Sequence, residues 1–179
     1  YVPQQYRDLV DGPIGVEIDG FVSFIDFAPT VLKLAGIQFP DLYDGKPFLG
    51  DSVDREEVLQ RNQTFGYADR FDEKYDMVRA IRVGDFKYIR NYQPFNFDGM
   101  MNNYRYKQMA FQEWRALFDK GELNEMQAAF FKKKDAEVLY DLSIDPDETK
   151  NLAKNPVYHD ALIAMRLRLR KQITAMPDL

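Results

Sequence analysis

The stretch Glu137-Val-Leu-Tyr-Asp-Leu-Ser-Ile-Asp-Pro-Asp-Glu-Thr-Lys-Asn-Leu-Ala153 constrains this chain more than any other, because it reads as a strand, a tight acidic turn and a helix start in one line. Val138, Tyr140 and Leu142 recur at the two-residue period of a half-buried strand. Asp145-Pro-Asp-Glu148 is turn chemistry: proline fixes φ, and aspartate side chains accept from nearby backbone N–H groups. Strands able to partner this one lie upstream. Met77-Val-Arg-Ala-Ile-Arg-Val83 alternates except around Ala80, Gly84-Asp85 turns, and Phe86-Lys-Tyr-Ile-Arg90 returns. Thr64-Phe-Gly-Tyr67 adds a short strand. The expectation is an α+β fold: a small antiparallel sheet of about four strands packed with a long C-terminal helix.

That helix is expected over 156–175. Pro156 suits a first turn, and Tyr158, Leu162, Met165, Leu169 and Ile173 form one apolar stripe. Two further helices are expected inside the sheet region. One covers 106–119, with Met109, Trp114, Leu117 and Phe118 near helical spacing, and the other covers 125–133, capped by Asn124 with Gln127 three residues on. Near the N-terminus, Ser23 and Asp26 make a capping pattern for a helix over about 24–35, Pro29 lies in its opening turn, and Gly36 supplies the position after its end. Gly12, Pro13 and Gly20 break the first twenty residues, and Pro40, Gly45, Pro47 and Gly50 mark 37–57 as loop. A domain boundary near residue 50 follows.

Composition narrows the function classes. With 45% apolar residues the chain is rich enough for a packed core, so disorder is not expected. Net charge is −5, which disfavours a general nucleic-acid surface while leaving room for a local basic pocket. There is no Cys, so disulfide, thiolate and Cys–metal chemistry are excluded. No apolar run is long enough to span a membrane as a helix. Fourteen Phe, eleven Tyr and one Trp leave two uses open, filling a core or gripping sugar rings. The opening Tyr1-Val-Pro-Gln-Gln-Tyr-Arg has neither Met nor a signal-peptide layout, and is expected to continue a longer protein.

Three lines of the sequence resemble the sulfatase family of the alkaline-phosphatase-like superfamily. Residues 137–153 resemble its L-Y-D-L…D-P-x-E-x-x-N-L-A line, Val22–Gly36 resembles V-S-x-x-D-x-x-P-T-x-L-x-L-A-G, and Lys87-Tyr-Ile-Arg-Asn91 falls between them in the right order. The resemblance implies a sulfatase acting on sulfated sugars, periplasmic or secreted. Residues 1–50 would then be the C-terminal edge of a catalytic α/β domain, and 51–179 its C-terminal α+β subdomain. It implies a Ca2+ ion and a formylglycine nucleophile, made from Cys or Ser in a C/S-x-P/A-x-R motif, in the upstream domain. That domain and the sulfated carbohydrate would be the partners.

None of that chemistry is expected in this chain. Of its serines, Ser23, Ser52 and Ser143, none opens the motif; Ser52, followed by Val-Asp-Arg, comes nearest and lacks the Pro or Ala two residues on. The lone His159 cannot form the family's His set, and no metal-site line occurs. No catalytic or metal-ligating residue is therefore assigned, and the isolated chain is expected to be inactive. The one candidate substrate contact is the link Ala68-Asp-Arg-Phe-Asp-Glu-Lys-Tyr-Asp76, where the resemblance implies that Arg70, Asp72 and Glu73 face the cleft. Arg suits sulfate because its planar fork makes two parallel hydrogen bonds; a solvated loop with internal ion pairs is the other reading. Arg79, Arg82, Lys87 and Arg90 divide between the two faces of the hairpin and read as a solvated strand face. Tyr88, Asn91 and Tyr92 are weaker sugar contacts. Lys132-Lys-Lys134 reads as the cationic end of a helix. Two other functions stay open: a non-catalytic carbohydrate-binding or interaction module, and a phosphoesterase of the same superfamily. Severed from a larger domain, the 24–35 helix is expected to expose Phe24, Ile25, Phe27 and Leu34 and to promote self-association.

Overall fold

The computed structural model describes residues 3–9, 13, 15, 17–38, 42–71 and 73–176, with only the backbone of Phe71. Gly12, Pro40 and Asp72 lie outside the described residues. By its contacts the chain divides into two units, Tyr1–Thr64 and Phe65–Leu179.

The first unit is built around helix α1 (Phe27–Leu34) and the short helix α2 (Arg55–Leu59). Asp26 holds it together. Its carboxylate accepts from the Ser23 N–H at 2.8 Å and the Lys46 N–H at 2.9 Å. Thr30 Oγ1 donates to Asp26 O and accepts from the Phe48 N–H, so one turn of α1 pins the loop that follows it. The helix stops at Gly36, whose φ of +69° lets its N–H reach Lys33 O while the Ile37 N–H reaches Leu32 O. This pairing is the Schellman stop that the glycine foretells. Phe24 (87% exposed), Ile25, Phe27 and Val31 are exposed; Leu34, expected among them, is half-buried.

In the second unit, β1 (Gln63–Phe71), β2 (Lys74–Val83), β3 (Phe86–Asn91) and β4 (Glu137–Asp141) form an antiparallel sheet in the order β1-β2-β3-β4. Val78 faces Asn91 and Val83 faces Phe86 across β2–β3, and Phe86 faces Asp141 and Arg90 faces Glu137 across β3–β4. Helix α6 (His159–Ala175) follows a 3-10 turn over Pro156–Tyr158 and lays Leu162, Met165 and Leu169 on Ile81, Tyr88 and Leu139. Tyr158 and Ile173 complete the expected stripe. In β4 the residue turned into this core is Leu139, fully buried, whereas Val138 and Tyr140 occupy the opposite face. The strand is thus covered on both sides rather than on one, and the alternation read from Val138 and Tyr140 marked the wrong inner face.

Between β3 and β4 the chain makes an excursion of helices α3 (Asn103–Tyr106), α4 (Met109–Lys120) and α5 (Glu125–Ala129). Phe111, not Met109, is the buried residue of α4; Met109 is 85% exposed. Phe111, Trp114, Phe118, Phe130 and Phe131 gather into a second small core. Trp114 stacks on Phe130 at 4.7 Å and Phe118 on Phe131 at 4.6 Å. Aromatic area concentrated this way lets a short excursion without β-structure hold a shape. The Asn91 N–H donates to Ala136 O and its side chain to Asp135 O, closing the neck of the excursion where it leaves the sheet.

Candidate functional site: a cationic cavity on the sheet

The sheet face away from α6 is apolar at its centre, with Ala68, Val78, Ile89 and Val138, one from each strand. The β3–β4 excursion stands beside this floor, and the two enclose a cavity of about 780 Å3. Strand alternation dictates what reaches its rim. Lys74 and Asp76 precede Val78 by even steps, so the pleat sends them to the same face.

These two side chains anchor a buried ion network. Lys74 Nζ lies 2.8 Å from Asp76 Oδ2 and 3.0 Å from Asp98 Oδ1. Lys134 Nζ meets the same Asp76 oxygen and lies 3.6 Å from Asp98 Oδ1. Side-chain exposure is 12% for Lys74, 9% for Asp76 and 15% for Lys134, so these three are largely desolvated, while Asp98, at 46%, sits at the solvent edge of the network. Burial alone would push the Asp76 carboxyl up, but hydrogen bonds from Lys134 and Lys74 override it and hold the carboxyl below its ordinary value. Burial likewise opposes the Lys74 charge, and its bonds to Asp76 and Asp98 raise the ammonium above its ordinary value. Asp76 Oδ1 is buried with no hydrogen-bond partner.

Arg105 adds a cation from the excursion. Its guanidinium lies 5.1 Å over the Phe130 ring and donates to Asp98 O. Five cations, Arg70, Lys74, Arg105, Lys133 and Lys134, line the cavity against three carboxylates, Asp76, Asp98 and Asp135. The surplus is positive although the whole chain is acidic. Asp135 is further engaged by Lys154 at 2.7 Å.

Of the residues proposed from sequence, Arg70 lines this cavity and is exposed near the end of β1. Glu73 stands outside it on the turn, accepting from Asn103 Nδ2 at 2.5 Å. Asp72 lies outside the described residues. The expected link over 68–76 is mostly strand, because β1 runs to Phe71 and β2 starts at Lys74. Other sequence readings are corrected by burial. Arg79 is not on a solvated face: it is 2% exposed, with Nη1 donating to Asp69 Oδ1 at 2.5 Å and to Val78 O at 3.0 Å. Tyr88 spends its hydroxyl on Glu137 at 2.6 Å, and Asn91 spends its amide on the excursion's neck. Lys132–Lys134 do not end a helix, since α5 stops at Ala129, and Lys134 turns into the ion network. His159 is exposed at the start of α6. Asp98 and Arg105 went unnoticed in the sequence, while Lys74 and Asp76 were read only as part of the charged 68–76 link and Lys133 only as part of a helix end. The only available signal was the alternation of Lys74 and Asp76 into the cavity face.

No cluster of three or more His, Cys, Asp or Glu suited to a metal occurs among the described residues, and no described helix is long and apolar enough to cross a membrane. No family model matches the chain. Two ulvan-active sulfatases of Formosa agariphila are similar to it. One is 40% identical over 158 residues, which are 88% of this chain and 26% of that protein. The other is 30% identical over 146 residues, 76% of this chain and again 26% of its own length. Among solved structures, a 2-O GAG sulfatase shares the fold with a TM-score of 0.52 at 21% identity, over 86% of this chain and 25% of that one. The chain spans about a quarter of the length of the curated relatives it matches.

Proposed function

The chain is homologous to the sulfatases, and from that premise we propose that it is the C-terminal part of a sulfatase that hydrolyses sulfate esters of carbohydrates, where it walls the substrate cleft and stabilises the parent fold. The observation that carries this reading is the cation-lined cavity on the sheet face, set in an otherwise acidic chain. Guanidinium and ammonium groups held beside an apolar floor suit a sugar bearing an anionic substituent. The relatives' names point to sulfated polysaccharides as the substrate class.

The bond-breaking groups belong elsewhere in this reading. A sulfatase resembling these needs a Ca2+ ion and a formylglycine, and the residues here fit neither. There is no Cys, no Ser opens the precursor motif, and no described cluster suits a metal. The chain's own residues bind and orient.

Assay of the protein at its full natural length on sulfated and phosphorylated aryl esters, and on sulfated polysaccharide, tests this. Release of sulfate is expected, with the isolated 179-residue chain inert. Phosphate release alone would make it a phosphoesterase of the same superfamily. Saccharide binding with no turnover of any ester would make it a binding module.

A further inference from the structure

We infer that the groove between the C-terminal half of α6 and β3 is a second binding site for an anionic polysaccharide, a chain whose sugars carry sulfate or carboxylate, on the opposite face of the sheet from the cavity. The inference rests on the function proposed above, which supplies the class of polymer. Alternation along β3 separates the two places. Ile89 and Asn91 line the cavity, whereas Tyr88, Arg90 and the following Tyr92 line the groove beside α6. Helical spacing builds the other wall, because Arg166, Arg170 and Thr174 recur at four-residue steps along one flank of α6. Residues 163–175 carry Arg166, Arg168, Arg170 and Lys171 and no Asp or Glu, in a chain of net charge −5.

Three guanidinium groups in the groove, those of Arg90, Arg166 and Arg170, meet one carboxylate, Glu137. Arg166 takes up that carboxylate with two hydrogen bonds, from Nε at 2.6 Å and from Nη2 at 2.5 Å. Arg90 comes no nearer to it than 3.8 Å and keeps 38% of its side chain exposed. Arg170 is exposed, and its side chain makes no hydrogen bond or ion pair among the described residues. The excess charge therefore rests on Arg90 and Arg170. Arg90 also sits directly opposite Arg79 across β2–β3, a like-charge pairing that an anion over Arg90 relieves. Beside these cations lies apolar area. The Arg90 guanidinium is 5.7 Å from the centre of the Tyr92 ring, which is 43% exposed, and Ile173 continues the wall. Guanidinium groups next to aromatic and aliphatic surface match a sugar ring bearing an oxyanion. The groove's volume of about 460 Å3 suits a short stretch of sugar chain, whereas a folded acidic protein needs a broad, flat contact.

Surface plasmon resonance with the protein at its full natural length tests this, over immobilised dextran sulfate, polygalacturonate, dextran and polyglutamate. Binding to one or both charged polysaccharides and none to dextran is expected; which of the two binds separates sulfate from carboxylate as the recognised group. Arg170→Glu should weaken that binding about tenfold, since it removes a charge-assisted contact and sets a repulsive charge in its place. Arg168→Glu makes the same change of net charge at an exposed position on the other side of α6, outside the groove, and should leave binding near that of the unaltered protein. Equal weakening by the two substitutions would show general basicity rather than a site and overturn the inference. So would unchanged binding by Arg170→Glu, which leaves all of it to the catalytic cleft, and so would binding to polyglutamate alone, which makes the groove a protein-docking surface. Sulfate release from an aryl ester together with any of those results would remove the second site and spare the function. Polysaccharide binding lost on Arg170→Glu and kept on Arg168→Glu, with no ester turned over, would do the reverse.

Discussion

At the scale of single residues, the molecule's polar interior depends on a few side chains that satisfy several partners at once. Asp76 is one, with two lysines on one oxygen. Removing it leaves two largely buried ammonium groups to share Asp98 alone, whereas removing Lys134 leaves Asp76 still paired with Lys74. Urea denaturation should show Asp76→Ala costing about 3–5 kcal/mol and Lys134→Ala less, about 1–3 kcal/mol. A reversed order would mean that the network is solvated. Asn151 is another. Its Oδ1 accepts from the Leu139 and Ala153 N–H groups, and its Nδ2 donates to Glu137 O and to Asp135. Asn151→Ala orphans buried backbone beside β4 and should cost about 1–3 kcal/mol. The pH response follows from the same groups. A hydrogen bond from Arg166, aided by Tyr88 against the effect of burial, holds the Glu137 carboxyl below its ordinary value, and Asp76 is also held low. Over acid pH the unfolded chain therefore binds these protons first. Stability should be full above the ordinary carboxylate range and fall as pH drops below about 4. Urea midpoints from pH 6 to pH 3 read this slope, and Arg166→Met should flatten it.

At the scale of elements, the sheet and α6 were legible because their information is local. A two-residue alternation, a Gly-Asp turn and a stripe at helical spacing each fit in one window of sequence. The excursion was legible only as helix, and its shape was not. Its stability lies in rings brought together from α4 and from Phe130 and Phe131 after α5, and spacing within α4 put Met109 inside where Phe111 belongs. Trp114→Ala removes the ring stacked on Phe130 and the Nε1 bond to Gln127 O. It should loosen residues 92–136 while β2–β3 stays intact. Hydrogen exchange should show protection lost in α4 and α5 and kept at Ile81 and Tyr88. Uniform loss across both would show that the excursion and sheet unfold as one.

At the scale of the whole molecule, what stayed hidden in the sequence was long-range charge pairing. Lys134 finds Asp76 across 58 residues, and no periodicity announces such a partner. Arg79 was misread for the same reason, since a strand arginine defaults to solvent until its acidic partner on the neighbouring strand is known. The exposure of Phe24, Ile25 and Phe27 was more readable, because it follows from a helix too apolar for its own cover, although Val31 rather than the expected Leu34 joins them. In isolation the chain should self-associate through them, and Phe24→Ser with Val31→Ser should move it toward monomer on gel filtration. A clean monomer that leaves a hydrophobic dye dark would remove this expectation.

The pinched neck at Asn91 and Ala136 makes the excursion a replaceable cassette. Its two ends meet on neighbouring strands, so the closure entropy depends only weakly on how much chain hangs between them. Doubling that chain costs only about 0.6 kcal/mol in closure entropy. The cassette can therefore be lengthened or shortened at little entropic cost, provided that Asp98 and Lys134 keep their pairing with Lys74 and Asp76 on the sheet.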